Sequence, residues 1–413
     1  MVRDIMRILM VVAYFVPEVA SASHVYFDLA KSFVKNGHEV DVITSYPRNV
    51  YLTEEGKDYS LDEVIDGINV HRCDDRYLRR IPLIRGISQF IIPRIYASRY
   101  RKLGKSFDAC LIYIPPLPLY RFAKKVKRMS GLRSVLNFQD FHPQELTDVG
   151  AERNRFIIGN LKKLEREAYG HSDHITVLSE GGVDYILNRG GDCSNISHIY
   201  NGTRMELLET NKFKSNFKKR EGIENKLLIS YAGVLAPYQC VDTILDAANE
   251  LSEDGEIIFY VIGDGNSREG LQRRIHDEDI ANLKLMPYQP REEYMNIINS
   301  SDITLVSLDI RMKAPCLPGK LTNLMGLEKP VIATVPFDSE TAKVIQMAGS
   351  GIVVNPGDQV GLKEAILKLR SDEDLRRKMG ENGRKFVENN MNLDLIVGKY
   401  EKIFSDLMDN GKG

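Results

Sequence analysis

Short apolar, β-branched runs alternate along the chain with longer stretches whose apolar positions recur every three or four residues. "MRILMVVAYF", from Met6, predicts a strand; "HVYFDLAKSFVKNG", from His24, a helix stopped at Gly37; "HEVDVITSYP", from His38, the next strand. A helical period between two buried apolar runs is a βαβ unit, which builds a parallel sheet covered on both faces. The alternation continues through "INVHRC", "ACLIYI", "RSVLNFQD" and "HITVLSE" to "ISHIYNG", which ends at Gly202. The lysine-rich polar run "NKFKSNFKKREGIENK", residues 211–226, reads as a linker. A second series follows: "LLISYAG", "EIIFYVIGDG", "LKLMPY", "DITLVSL", "KPVIAT" and "GIVVNP", with a last helix near Asp394 to Met408. The fold class expected is α/β, with two Rossmann-like doubly wound domains facing a cleft. Their bounds are residues 1–205 and 206–393, and a helix over 394–413 packs back on the first domain. No repeat of 20 to 50 residues is visible in the sequence.

Composition narrows the class. The 413 residues suffice for two domains with their own cores, and a formal net charge of −1 carries no nucleic-acid signature. The 5 cysteines are scattered, with neither a C-x-x-C pair nor a metal spacing, as expected in a reducing compartment. The apolar run Ile8 to Val12 is too short for a signal peptide, and no stretch approaches a membrane span, so a cytoplasmic protein is expected. One segment departs from charge balance: residues 76–105 hold nine Arg or Lys and no Asp or Glu, interleaved with apolar and aromatic residues. Part of it packs as an ordinary helix. The missing acids suggest a segment resting on an anionic membrane surface, on the inner face of the plasma membrane.

In doubly wound sheets, ligands bind beyond the C-terminal ends of the strands. In the second half those ends carry Gly233 in "YAGVL", Gly263 and Asp264 in "IGDGNSRE", and Met286 and Tyr288 in "LMPYQP". Glycine permits close backbone approach by a phosphate or sugar, although a strand-to-helix turn also takes glycine for plain steric reasons. A fourth end leads into "PGKLTNLMGLEKPVIAT", a helix opened by Pro318 and Gly319 with an apolar face of Leu321, Leu324 and Met325. Lys320 in its first turn stands at the positive end of the helix dipole, where a cation is disfavoured. Either its head swings into water, or an anion is held there by Lys320 and free N–H groups together. In the first half, Ser21 and Ser23 stand where a helix starts; Ser is a good N-cap, and small side chains there would let the donor approach the backbone. In "NFQDFHPQE", Asp140 and His142 follow a strand in a bend closed by Pro143; a turn-forming aspartate and a structural histidine are the plain alternatives. Asn201-Gly202-Thr203 reads as a turn.

Taken together these stretches resemble family 4 of the retaining glycosyltransferases, which have the two-domain GT-B fold. The resemblance rests on "NGHEVDVIT", "VLSEG", "IYNGT", "YAGVL", "VIGDG", "KPVIAT" and "SETAKVIQMAGSGIVVNPGD", in family order along nearly the whole chain. The chain looks most like bacterial polysaccharide-assembly enzymes that transfer fucosamine- or fucose-type sugars. The family's paired glutamates, seven residues apart, align with Pro315 and Asn323, and neither is acidic. Its Arg/Lys pair is also missing, since "GVLAPYQC" offers only Tyr238 and Gln239. The resemblance then implies that Lys320, with Pro318, Gly319 and Leu321 around it, faces the diphosphate of a nucleotide sugar. Asn323 is left for the ribose, Met286 and Tyr288 for the base, and Asp140 with His142 for the reacting sugar. No metal or other cofactor is implied. The acceptor expected is a polyprenyl-diphosphate-linked glycan. A nucleotide-sugar 2-epimerase on the same architecture and a catalytically inert nucleotide-sugar-binding subunit are the alternatives.

Overall fold

The computed structural model describes residues 5–48, 56–79, 85–208 and 216–409. The chain divides into two compact units, one of Met1–Thr203 with Leu393–Gly413, the other of Arg204–Asn392.

The first unit is built on β1 (Arg7–Val11), β2 (Glu39–Ser45), β3 (Asp62–Ile65), β4 (Ile68–Cys73), β5 (Ala109–Ile114), β6 (Ser134–Phe138), β7 (His174–Val177) and β8 (Ile196–His198). They form one sheet in the order β3-β4-β2-β1-β5-β6-β7-β8. Every pairing is parallel except β3 with β4. The strand β3 has no counterpart in the apolar pattern. It is a hairpin arm joined to β4 by Asp66 and Gly67, both at positive φ (49° and 83°), as a tight two-residue turn requires. The helices of this unit are α1 (Ser21–Lys35), α2 (Arg85–Leu103), α3 (Tyr120–Ser130), α4 (Gln144–Asp148), α5 (Arg155–Gly170) and α6 (Glu180–Leu187).

The second unit holds β9 (Leu227–Ala232), β10 (Ile257–Ile262), β11 (Leu283–Met286), β12 (Ile303–Ser307), β13 (Val331–Thr334) and β14 (Gly351–Val354), all parallel, in the order β11-β10-β9-β12-β13-β14. Its helices are α7 (Phe217–Arg220), α8 (Asp242–Glu250), α9 (Arg268–Asp277), α10 (Arg291–Ser300), α11 (Lys320–Gly326), α12 (Glu340–Ala348), α13 (Gln359–Ser371) and α14 (Glu373–Asn390). Part of the run read as a linker is therefore α7. Its Phe217 is fully buried with its ring 5.2 Å from Tyr260, so one aromatic among lysines was enough to fold the segment under the sheet. Residues 209–215 of that run lie outside the described residues.

The last helix, α15 (Leu393–Asp409), returns to the first unit. Leu393, Ile396, Val397, Tyr400 and Phe404 join one buried cluster with Ile8, Tyr26 and Phe33. Polar bonds fix its position: Glu401 Oε1 accepts from Asn36 Nδ2 at 2.7 Å and lies 3.1 Å from His38 Nε2.

The basic segment proves mostly structural. In α2, Ile92, Tyr96, Ala97 and Tyr100 are buried, and Pro93 sits inside the helix. Arg76 pairs with Asp74, Arg99 with Asp62 and Lys105 with Asp41. Of the apolar residues expected at a membrane, only Tyr77 is largely exposed among the side chains described; those of residues 79–87, Ile81, Leu83, Ile84 and Ile87 included, lie outside them. The expected interfacial helix thus has its apolar side turned into the protein.

Candidate active site

In the second unit the strand ends converge on Lys320. The turn after β9 is zipped to the turn after β10: Gly233 N–H donates to the Ile262 carbonyl (2.9 Å), and Leu235 N–H to the Asp264 carbonyl (2.8 Å). The turn after β10 is in turn tied to β11, because Gly263 N–H donates to the Met286 carbonyl (3.0 Å). Arg268, which sequence reasoning passed over, clamps the same place; its Nη1 donates to the carbonyls of Gly263 (2.8 Å) and Met286 (3.0 Å). Gly263 is required by this packing. Its φ is +151°, and a Cβ there would lie 1.8 Å from the Gly233 carbonyl oxygen. The plain steric reading holds for Gly263, then, and ligand approach is not needed to explain it.

Gly233 is different. A Cβ on it would stand 3.1 Å from Lys320 Nζ and 3.3 Å from the Tyr231 hydroxyl. The missing side chain leaves room for the lysine head, which lies 3.8 Å from the centre of the Tyr231 ring. Nζ is buried and has no hydrogen-bond partner among the described residues. Burial pulls the amine from 10.5 down to about 7. Tyr231, 1% exposed on β9, is anchored through its hydroxyl to Gln239 Oε1 (2.9 Å) and the Val234 carbonyl (3.2 Å). Sequence reasoning missed this ring because it sits inside a strand that reads only as core. Ser307 and Thr334, register partners at the ends of β12 and β13, likewise end in buried hydroxyls with no partner among the described residues.

The helix carrying Lys320 corrects the reading in two respects. It is only 7 residues long, and its first turn is tight: Leu321 N–H already donates to the Pro318 carbonyl (2.9 Å). Fewer N–H groups are open than the dipole argument assumed, and what sets Lys320 apart is burial of its amine. The Leu321 side chain is fully buried and serves the core. Pro318, Gly319 and Asn323 are half-buried around Lys320. Asn323 hydrogen-bonds the Tyr294 phenol of α10, so part of its capacity is used inside the protein. Asp264 is exposed and turns its Oδ1 onto the Gly265 N–H (2.7 Å). Tyr288 is exposed beside half-buried Met286. Ser339 caps α12 by accepting from Ala342 N–H (3.2 Å), and Glu340 pairs with Lys343 (2.6 Å).

In the first unit a separate polar cluster follows β6. Phe141 is 2% exposed and packs on Tyr185 with ring centres 4.6 Å apart, which fixes the bend and leaves Asp140 and His142 on either side of it. His142 Nε2 lies 3.5 Å from Glu145 Oε2, while Glu145 Oε1 accepts from Phe141 N–H (2.8 Å). Burial first, and the neighbouring Glu145 second, raise Asp140 from 3.8 to about 7. Burial disfavours charge on His142, but the Glu145 hydrogen bond and the charges of Glu145 and Asp140 outweigh it and raise the imidazole. Ser21 and Ser23 also belong to the first unit. The N-cap of α1 is Ala20, without a side-chain bond, and Ser23, inside the helix, is fully buried; the Ser21 side chain lies outside what is described. Asn201 pairs reciprocally with the Gln139 amide (2.7 and 2.9 Å). Among the described residues no group of three or more His, Cys, Asp or Glu is placed to hold a metal, and no helix is long and apolar enough to cross a membrane.

Residues 22–202 match the family described as glycosyl transferase 4-like domain, and residues 213–386 the glycosyl transferases group 1. The chain is similar to an uncharacterized glycosyltransferase, MJ1069, of Methanocaldococcus jannaschii, at 26% identity over 60% of this chain and 62% of that protein. It is similar to the putative colanic acid biosynthesis glycosyl transferase WcaI of Escherichia coli K12, at 20% identity over 88% of this chain and 92% of that one. In fold it resembles HepE of Anabaena, solved in complex with UDP, with a TM-score of 0.70 at 14% identity over 97% of this chain and 100% of that one.

Proposed function

Because its first half belongs to the glycosyl transferase 4-like domain family and its second to the glycosyl transferases group 1, the chain is a glycosyltransferase of the GT-B fold, and we propose that it moves a sugar from a nucleoside-diphosphate donor to a glycan or lipid-linked acceptor, with retention, in assembly of a cell-surface polysaccharide. The observation that carries the donor reading is the buried, unpartnered Nζ of Lys320 in a cradle of strand-end turns. Breaking the anomeric C–O bond leaves a nucleoside diphosphate with growing negative charge, and a fixed cation aimed at that charge lowers the barrier. Lys320 takes that role in place of the absent Arg/Lys pair. Asn323 keeps capacity for a ribose hydroxyl, and Tyr288 with Met286 offers a surface for the base. Asp140 serves the oxocarbenium-like sugar, with His142 beside it. The reaction needs no metal cofactor in this reading. A fucose- or fucosamine-type sugar is the first donor to try.

The acceptor proposed is a polyprenyl-diphosphate-linked glycan, reached from an anionic membrane surface on the cytoplasmic side. The contact is best placed on α5, since α2 has turned its apolar side inward. Phe156 is 79% and Ile157 42% exposed at the start of α5, with Arg153, Arg155, Lys162 and Lys163 exposed around them. A groove of about 250 Å³ beside them is lined by Phe90, Arg121, Leu161 and Lys163 among others. Basic heads around protruding apolar groups suit anionic headgroups over acyl chains.

Product analysis with a panel of nucleotide sugars and lipid-linked acceptors, with and without EDTA, tests the reading. Free nucleoside diphosphate with a lengthened acceptor, unaffected by EDTA, supports it. An epimerised sugar nucleotide, or no turnover despite binding, would overturn it in favour of an epimerase or an inert binding subunit.

A further inference from the structure

The amine of Lys320 is held for a charge that its own surroundings do not provide. An ammonium carries three N–H donors and no acceptor, so a buried one asks for acceptors. Here Nζ meets the face of Tyr231 and the open side of Gly233, and no acceptor within hydrogen-bond distance among the described residues. The Tyr231 phenol beside it is influenced by Tyr238 and Cys240 before α8 and by Tyr288 after β11, whereas burial alone acts on the Lys320 amine. Asp264 after β10 acts on Tyr288 and already bonds the Gly265 N–H. Asp309 after β12 is taken up by Arg311 through Nε (2.8 Å) and Nη2 (2.6 Å), and Glu340 on α12 by Lys343. Among the described residues no carboxylate hydrogen-bonds Lys320 Nζ.

We propose that Tyr231 is the positioning residue for Lys320, and that a nucleoside diphosphate on binding brings one solvent proton onto Lys320 Nζ, so that donor capture is proton-linked. The inference rests on the diphosphate reading above. The free amine, pulled down to about 7 by burial alone, is mostly neutral at pH 8. Phosphate oxygens supply the missing acceptors and the compensating charge, and the amine returns toward its ordinary range. The aromatic face below Nζ keeps the head aimed at the turn while it is neutral and stabilises it once charged. The proton comes from solvent and returns to solvent when the product diphosphate dissociates and the amine falls back to its unliganded range.

Calorimetric titration of the full chain with UDP and with GDP, at pH 8 in two buffers of different ionisation heat, reads the proton directly. The second phosphate ionisation, near 6, is complete there, so a proton taken up goes to the protein. Uptake close to one proton per nucleotide is expected, with the dissociation constant weakening by about tenfold per pH unit above 8. Lys320→Gln should bind weakly with no uptake. Tyr231→Phe, which keeps the ring, should retain the uptake; Tyr231→Met, which loses it and lets the head reach water, should lose it. Nucleotide binding by the wild type without uptake, or uptake that survives Lys320→Gln or Tyr231→Met, overturns the inference and leaves the diphosphate reading standing. Binding of neither nucleotide overturns both. Should Tyr231→Met fail to fold, the wild type against Lys320→Gln still decides.

Discussion

At the scale of single residues, Lys320 and Asp140 sit in places that oppose their own charge, and this makes their roles separable from folding. For Lys320 the folded amine titrates near 7 and the unfolded one near 10.5. Between those values the unfolded chain binds the extra proton, so stability rises with pH across that window, and the full cost of burial is present below it. Lys320→Met should therefore abolish transfer and raise the melting temperature at pH 6–7, by about 2–4 °C for each kcal/mol recovered. The gain should fade toward pH 10. An unchanged turnover would make Lys320 a packing residue only. Asp140 works the other way: its unfolded value is near 3.8 and its folded value about 7. Through that window the unfolded chain has given up a proton that the folded chain retains, so stability falls as pH rises. Asp140→Asn should cut turnover with little effect on donor affinity, and should melt higher than the wild type at pH 8. Wild-type activity should climb as pH passes through about 7; a flat profile there would remove Asp140 from the reacting centre. Lys320 was legible in the sequence because a cation opening a helix is locally wrong. The ring beneath it was not, because a tyrosine in an apolar strand has no signature apart from core.

At the scale of elements, regular period was enough wherever an element buries a whole face. Every parallel strand of both sheets was legible as an apolar run. What escaped was held together by few residues: β3 has a partly exposed edge pattern, and α7 has one buried aromatic, Phe217. The turn Asp66-Gly67 carried the hairpin signal, but its polar flanks hid it. In the basic segment composition and period point different ways. Its composition suggested an interface, yet period decides which way a helix faces, and Ile92, Tyr96 and Tyr100 face inward. For α5 the exposure itself motivates the expectation. Phe156→Glu with Ile157→Glu should abolish co-sedimentation with anionic vesicles while leaving the melting temperature nearly unchanged, since surface changes of this kind usually stay within about 0.5 kcal/mol. Binding should also weaken with added salt. Equal pelleting of wild type and double variant would place the contact elsewhere or remove it.

At the scale of the molecule, the first unit is made from both ends of the chain. Ending the chain at Asn392 would strip five buried side chains of α15 from the core they share with Phe33 and Tyr26. Large-to-small changes at such sites cost about 2–5 kcal/mol each, and a domain's whole stability is about 5–15 kcal/mol. The truncated protein should lose the first unit's unfolding transition, followed by proteolysis across residues 5–203, while the second unit stays resistant. A protease-resistant first unit would show that α15 is dispensable. The same path of the chain sets an order of events during translation. The second unit draws all its residues from Arg204–Asn392, whereas the first unit, although begun earlier, keeps its Phe33 face uncovered until α15 emerges. A nascent chain halted before Leu393 should therefore keep its first unit unfinished, and the uncovered Phe33 face is where a ribosome-associated chaperone would hold it.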